Sequence, residues 1–133
     1  IWTTFVQKEK EELLNRLEKY FKNSESKMTR ERYFKMCEQL GQEPNPEEIP
    51  PDLEDFPEVV INALTTFSSL GDRVYPDIGY MGKDFTTLPY YLEMYDIKDT
   101  QLFLELLTHL ESRAIKTSQE QLKREREKLK RKK

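Results

Sequence analysis

The sequence predicts an all-α chain of five or six helices in a small irregular bundle. Three observations carry that expectation. Apolar residues recur at three- and four-residue steps in successive segments. Cap residues and glycines bracket several of those segments. No run of alternating β-branched residues, internal repeat or low-complexity tract offers another class. Three interruptions are expected: a Pro-rich connector after the second helix, a Gly/Tyr-rich loop mid-chain, and a projecting basic C-terminal helix.

The first helix is expected from a cap at Thr3 or Thr4 to about Lys22. Leu13, Leu14, Leu17, Tyr20 and Phe21 form its apolar stripe, with Val6 one heptad before Leu13. Asn23-Ser24-Glu25-Ser26-Lys27 is a polar break. Thr29 then caps a second helix of about Arg30–Leu40, with Tyr33, Phe34, Met36, Cys37 and Leu40 on its apolar side. Gly41 follows, where a helix commonly ends on a left-handed residue.

Residues 43–52, EPNPEEIPPD, hold four prolines. Proline lacks a backbone donor and disfavours helix in the residue before it, so an extended, semi-rigid connector is expected. Asp55, Pro57 and Glu58 then read as the start of a third helix. Asp55 is its cap, and Phe56, Val60, Ala63, Leu64, Phe67 and Leu70 are its buried face. Gly71 ends it.

After the loop, Thr86 or Thr87 starts a short helix to about Tyr95, with Leu88, Tyr91, Leu92 and Tyr95 facing inward. Asp99 caps the next helix, whose stripe is Leu102, Phe103, Leu106, Leu107 and Leu110. Two readings remain beyond Leu110. Ile115, Leu122 and Leu129 are spaced by sevens, which suits one continuous helix. Thr117-Ser118-Gln119-Glu120 is itself a capping box and could restart a separate one. The expected organisation is a helical pair (1–42), an acidic connector (43–54), a helical core (55–115) and a charged C-terminal helix or tail (116–133). Together they make one domain overall.

Composition narrows the function classes. The 133 residues suffice for a core, and fifteen aromatics exclude the low-hydrophobicity disordered type. Cys37 is the only cysteine, so an internal disulfide is impossible, and a reducing, cytoplasmic setting is expected. No apolar run approaches the roughly 20 residues that cross a bilayer. No secretory leader is expected either, because Lys8, Glu9 and Lys10 follow the first apolar residues at once.

The net charge of −3 conceals two opposite regions. Residues 41–58 carry seven acids and no base. Residues 123–133 carry eight bases against two acids, a local charge of +6 that leaves −9 for the rest.

Residues 71–84, GDRVYPDIGYMGKD, end in Gly-Lys and raise the question of a phosphate loop. A P-loop needs a glycine five before Gly82 and a hydroxyl after Lys83. Asp77 and Asp84 stand in those places. Turn chemistry fits better: Pro76 is preset for the first central position, Asp77 follows, and Gly79 can take positive φ. Val74-Tyr75 and Tyr80-Met81 could then pair as a very short hairpin.

Six aromatics, five of them tyrosine, lie between Tyr75 and Tyr95. Tyrosine packs its ring while its hydroxyl finds a partner, which suits interfaces as well as cores. Tyr75, Tyr80, Met81, Lys83 and Tyr90 are the candidate partner-binding residues. Lys123, Arg124, Arg126, Lys128, Lys130, Arg131, Lys132 and Lys133 are candidates for contact with phosphates or with a protein partner. That tail has no interleaved aromatic for stacking on single strands. No cofactor or metal site is expected. His109 is the only histidine and sits beside an apolar stripe, and Cys37 reads as a small buried helix residue.

The segments MTRERYFKMCEQLGQEPNPEEIPPDLEDFP and GDRVYPDIGYMGKDFTTLP resemble small helical accessory proteins of tailed bacteriophages. Such proteins act in virion, tail or genome-packaging assembly. The resemblance spans residues 28–133 in style and assigns no residue a role. It implies a non-enzymatic interaction or assembly factor in the host cytoplasm or virion. Its partner would be another protein, a larger assembly or further copies of itself, and no membrane. The alternatives are a nucleic-acid-associated factor that uses the basic tail, and an enzyme of unrecognised class.

Overall fold

The computed structural model describes residues 7–131. The elements run α1 (Gln7–Glu25), α2 (Arg30–Leu40), a one-turn 3-10 helix (Leu53–Asp55), α3 (Glu58–Ser69), β1 (Asp72–Tyr75), β2 (Gly79–Lys83), α4 (Leu88–Met94) and α5 (Thr100–Arg131). The chain is thus predominantly helical, with a small two-stranded sheet that an all-α label leaves out. The expected cap at Thr3 or Thr4, and Val6, lie outside the described residues. Two compact units divide the described chain at residues 57 and 58.

In the first unit α1 buries Leu13 and Leu17, while Leu14, Tyr20 and Phe21 are half-buried. The polar break after α1 is a left-handed stop made without glycine. Lys27 takes φ 58°, and Met28 N–H donates to the Asn23 carbonyl at 2.8 Å. The ends of α2 follow expectation. Thr29 Oγ1 accepts from Arg32 N–H at 3.1 Å, and Gly41 adopts φ 68°. Gly41 and Gln42 N–H donate back to Glu38 and Cys37, so the last carbonyls are satisfied. Only Tyr33 and Cys37 of the predicted α2 stripe are buried. Phe34, Met36 and Leu40 are exposed, because an 11-residue helix turns only its i, i+4 pair inward here.

The Pro-rich connector is stitched onto the two helices of this unit. Asn45 N–H donates to the Tyr33 hydroxyl at 3.1 Å, and that hydroxyl donates to Glu48 at 3.3 Å. Arg30 Nε donates to the Pro50 carbonyl at 2.9 Å, and Lys19 Nζ donates to the Glu47 carbonyl. The segment offers few N–H donors, so its carbonyls do the work and long basic side chains come to them.

Asp55 has a different role from the one expected. It does not cap α3. It is the third residue of a capping box headed by Asp52, accepts from Asp52 N–H at 3.0 Å, and pairs with Arg30. Phe56 is buried, with the Tyr20 ring edge-on at 5.9 Å and the Arg16 guanidinium 5.5 Å from its centroid.

In the second unit α3 packs against α5. Val60, Ala63, Thr66 and Leu70 are buried on one side, and Leu102, Phe103, Leu106, Leu107 and Leu110 on the other. Leu64 and Phe67, expected inside, are half-buried. Asp99 caps α5 as expected, accepting from Leu102 N–H at 3.0 Å. That helix is continuous for 32 residues, so the capping box at Thr117 does not restart it. At about 1.5 Å per residue it is roughly 48 Å long.

Candidate functional site

The Gly/Tyr-rich stretch is a hairpin seated on α5. Its turn follows the expected chemistry with one change: Asp77 itself takes positive φ, at 67°, and Gly79 takes 92°. Ile78 N–H donates to the Tyr75 carbonyl at 3.3 Å, so Pro76 and Asp77 are the central turn residues. The strands are antiparallel, with Tyr75 opposite Gly79, Val74 opposite Tyr80 and Asp72 opposite Lys83. Two residues, Met81 and Gly82, therefore face the single Arg73, which is a β-bulge. Arg73 closes it by donating to the Met81 carbonyl at 3.0 Å.

The bulge explains Gly82. Its φ is 113°, and a Cβ there would lie 2.8 Å from Glu111 Oε2. The same carboxylate oxygen accepts from Lys83 N–H at 2.9 Å. Glu111, Ile115, Ser118, Leu122 and Arg126 follow one another at steps of four, three, four and four, so they share one face of α5. The hairpin touches that face at three heights. Glu111 holds the bulge, Leu122 lies against Gly79 so closely that a Cβ would meet it at 2.7 Å, and Arg126 Nη2 donates to the Asp77 carbonyl at 3.2 Å.

Lys83 was a candidate contact residue, and the structure withdraws it from the surface. It is buried, paired with Asp72 at 2.7 Å, and donates to the Leu70 carbonyl at 3.2 Å. Its ammonium also lies 4.7 Å from the Phe67 centroid. Alternation alone cannot reveal this, because the bulge shifts which face Lys83 takes.

Tyr80 is half-buried, and its hydroxyl is buried with no hydrogen-bond partner among the described residues. Burial pushes the phenol up to about 12, with the Asp72 and Glu111 carboxylates adding to the shift. At the exit from the hairpin, the Thr86 hydroxyl and amide both donate to Asp84, which holds that carboxyl below its usual range. Both aspartates that break the P-loop pattern are thus backbone organisers of the turn and its exit.

The remaining candidates are on the surface. Tyr75 is 50% exposed, Met81 38% and Tyr90 73%. Sequence reasoning missed their company: Val74, Ile78, Phe85 and Met94 are exposed as well. Tyr90 and Met94 are an i, i+4 pair and so share one face of α4. In the tail, Lys123, Arg124, Arg126, Lys128, Lys130 and Arg131 are exposed on the last turns of α5, while Lys132 and Lys133 lie outside the described residues. Arg126 alone of these has a hydrogen bond to the hairpin.

Cys37 is buried and His109 half-buried. Among the described residues no group of His, Cys, Asp and Glu side chains could hold a metal ion. No described helix is long and apolar enough to cross a membrane. Compared with protein-family models, curated proteins and solved structures, the chain shows no match to any of the three.

Proposed function

We propose that this chain is a non-enzymatic interaction protein whose contact surface is the exposed apolar side of the hairpin and α4. An assembly role of the kind found among tailed-phage accessory proteins is the reading its sequence style supports. One observation carries the proposal. Of thirteen exposed large hydrophobic side chains among the described residues, seven lie between Val74 and Met94. In a chain with 35% charged residues, such a concentration is what a docking surface needs and a solvated face does not. Bound to an apolar protein surface, Tyr75, Ile78, Tyr90 and Met94 lose water contact at little conformational cost to the hairpin.

The test compares affinity capture by the full chain with capture by Tyr90→Ser/Met94→Ser. The variant should lose its protein partner while its melting temperature stays unchanged. Identical partners captured by both chains would overturn the reading. So would a collapse of the variant's stability, which would place these side chains in the fold rather than in a contact.

A further inference from the structure

We propose that the hairpin turn and the basic end of α5 together form a site for single-stranded nucleic acid. The observation behind it is a juxtaposition absent from the sequence: the tail has no aromatic residue, and the fold brings one to it. Arg126 donates to the Asp77 carbonyl and Leu122 lies against Gly79, so the turn is fixed where the basic segment begins. Tyr75 pairs with Gly79 across the hairpin and is half-exposed, and Ile78 beside it is 58% exposed.

The charges are arranged for a backbone rather than for a single anion. Lys123, Arg124, Lys128, Lys130 and Arg131 are exposed and have no ion-pair partner among the described residues. At about 100° per residue they fan over roughly 160° of the helix, away from the line of Leu122 and Leu129. Glu125 and Glu127 lie in the same segment and reduce the local charge without reversing it. Several loosely directed cations track a flexible phosphate chain, and an aromatic face at their inner end accepts any unpaired base. A duplex would satisfy the cations but leave Tyr75 without a base to stack on. The sequence of this segment holds no motif that reads base edges in a groove.

The site shares Tyr75 and Ile78 with the proposed contact surface but uses neither Tyr90 nor Met94, so variants at those two positions let the readings fail separately. Fluorescence anisotropy on the full chain, with a labelled oligothymidylate of about 20 nucleotides and a duplex of equal length, tests it. The single strand should bind more tightly than the duplex. Tyr75→Ala should weaken single-strand binding by about 5- to 150-fold, the range of one lost base stack. Tyr75→Phe keeps the ring and should bind like the parent chain, as should Tyr90→Ser/Met94→Ser. Lys128→Gln/Arg131→Gln should flatten the salt dependence by about 1.4 in log–log slope, at about 0.7 per phosphate contact. Absence of binding at about 50 mM salt, preference for the duplex, or equal affinity of Tyr75→Ala would each overturn the proposal. Capture of an acidic protein by the tail instead, with no oligonucleotide bound, would do the same.

Discussion

Alanine at Gly82 is the sharpest perturbation the hairpin offers. The glycine sits at φ 113°, outside even the left-handed region where other residues are occasionally tolerated. Holding an alanine there costs on the order of 1–3 kcal/mol in backbone strain. Its Cβ would also lie 2.8 Å from Glu111 Oε2 and 2.9 Å from its Cδ. The carboxylate is the end of a flexible side chain and can swing away. Doing so breaks its bond with Lys83 N–H, a charge-assisted contact worth about 1.5–3 kcal/mol where it is partly buried. The two effects act at one residue and are not independent, so a total of roughly 3 kcal/mol is expected. Gly71 is the control, since its φ is ordinary and nothing lies within 4 Å of an added Cβ. Gly71→Ala should be neutral or stabilising by up to about 1 kcal/mol, through the entropy of the unfolded chain. Urea unfolding of both variants decides the matter. Equal midpoints would refute the bulge geometry and the role given to Glu111.

Two further outcomes follow from buried hydroxyls. Tyr80 has a phenol raised from 10.0 to about 12, so the folded chain keeps that proton longer than the unfolded one. Its contribution to stability is whole below pH 10 and is lost as pH rises toward 12; Tyr80→Phe should flatten that decline, and absorbance titration of the phenols should show one late ionisation missing in the variant. Thr66 is fully buried on α3 with its hydroxyl unpartnered among the described residues. Thr66→Val should therefore stabilise by about 1 kcal/mol in calorimetry, and a loss of similar size would mean that the hydroxyl has a partner after all.

How much of this was legible in the sequence depends on the range of the forces involved. Thr29, Gly41 and Asp99 act within four residues of themselves, and their capping roles can be read from local chemistry. The α5 stripe from Leu102 to Leu110 is likewise local, since one helix presents it whole. Asp55 was misread because two capping patterns overlap around it, and the one headed by Asp52 prevails. Phe34, Met36 and Leu40 show the limit of periodicity: spacing says which residues share a face, not whether anything covers it. The hairpin could be suspected from Val74-Tyr75 and Tyr80-Met81. The hold of Glu111 on the bulge and the reach of Arg126 to Asp77 depend on α5 passing alongside, across 28 and 49 residues of chain, and the burial of Lys83 depends on Phe67, Leu70 and Asp72. No pattern in either segment alone specifies those meetings.

The continuity of α5 also governs how the molecule comes apart. From Leu102 to Leu110 its amides open only when the core of the second unit opens. Between Glu111 and Arg126 they are expected to open with the hairpin that packs on them. Past Arg126 every described residue of the helix is exposed, and its turns are expected to fray as those of an isolated peptide do. One unbroken rod of hydrogen bonds is therefore three kinetic segments. Loosening the hairpin would move the boundary between rigid rod and fraying end several turns inward, with no bond in the rod itself changed.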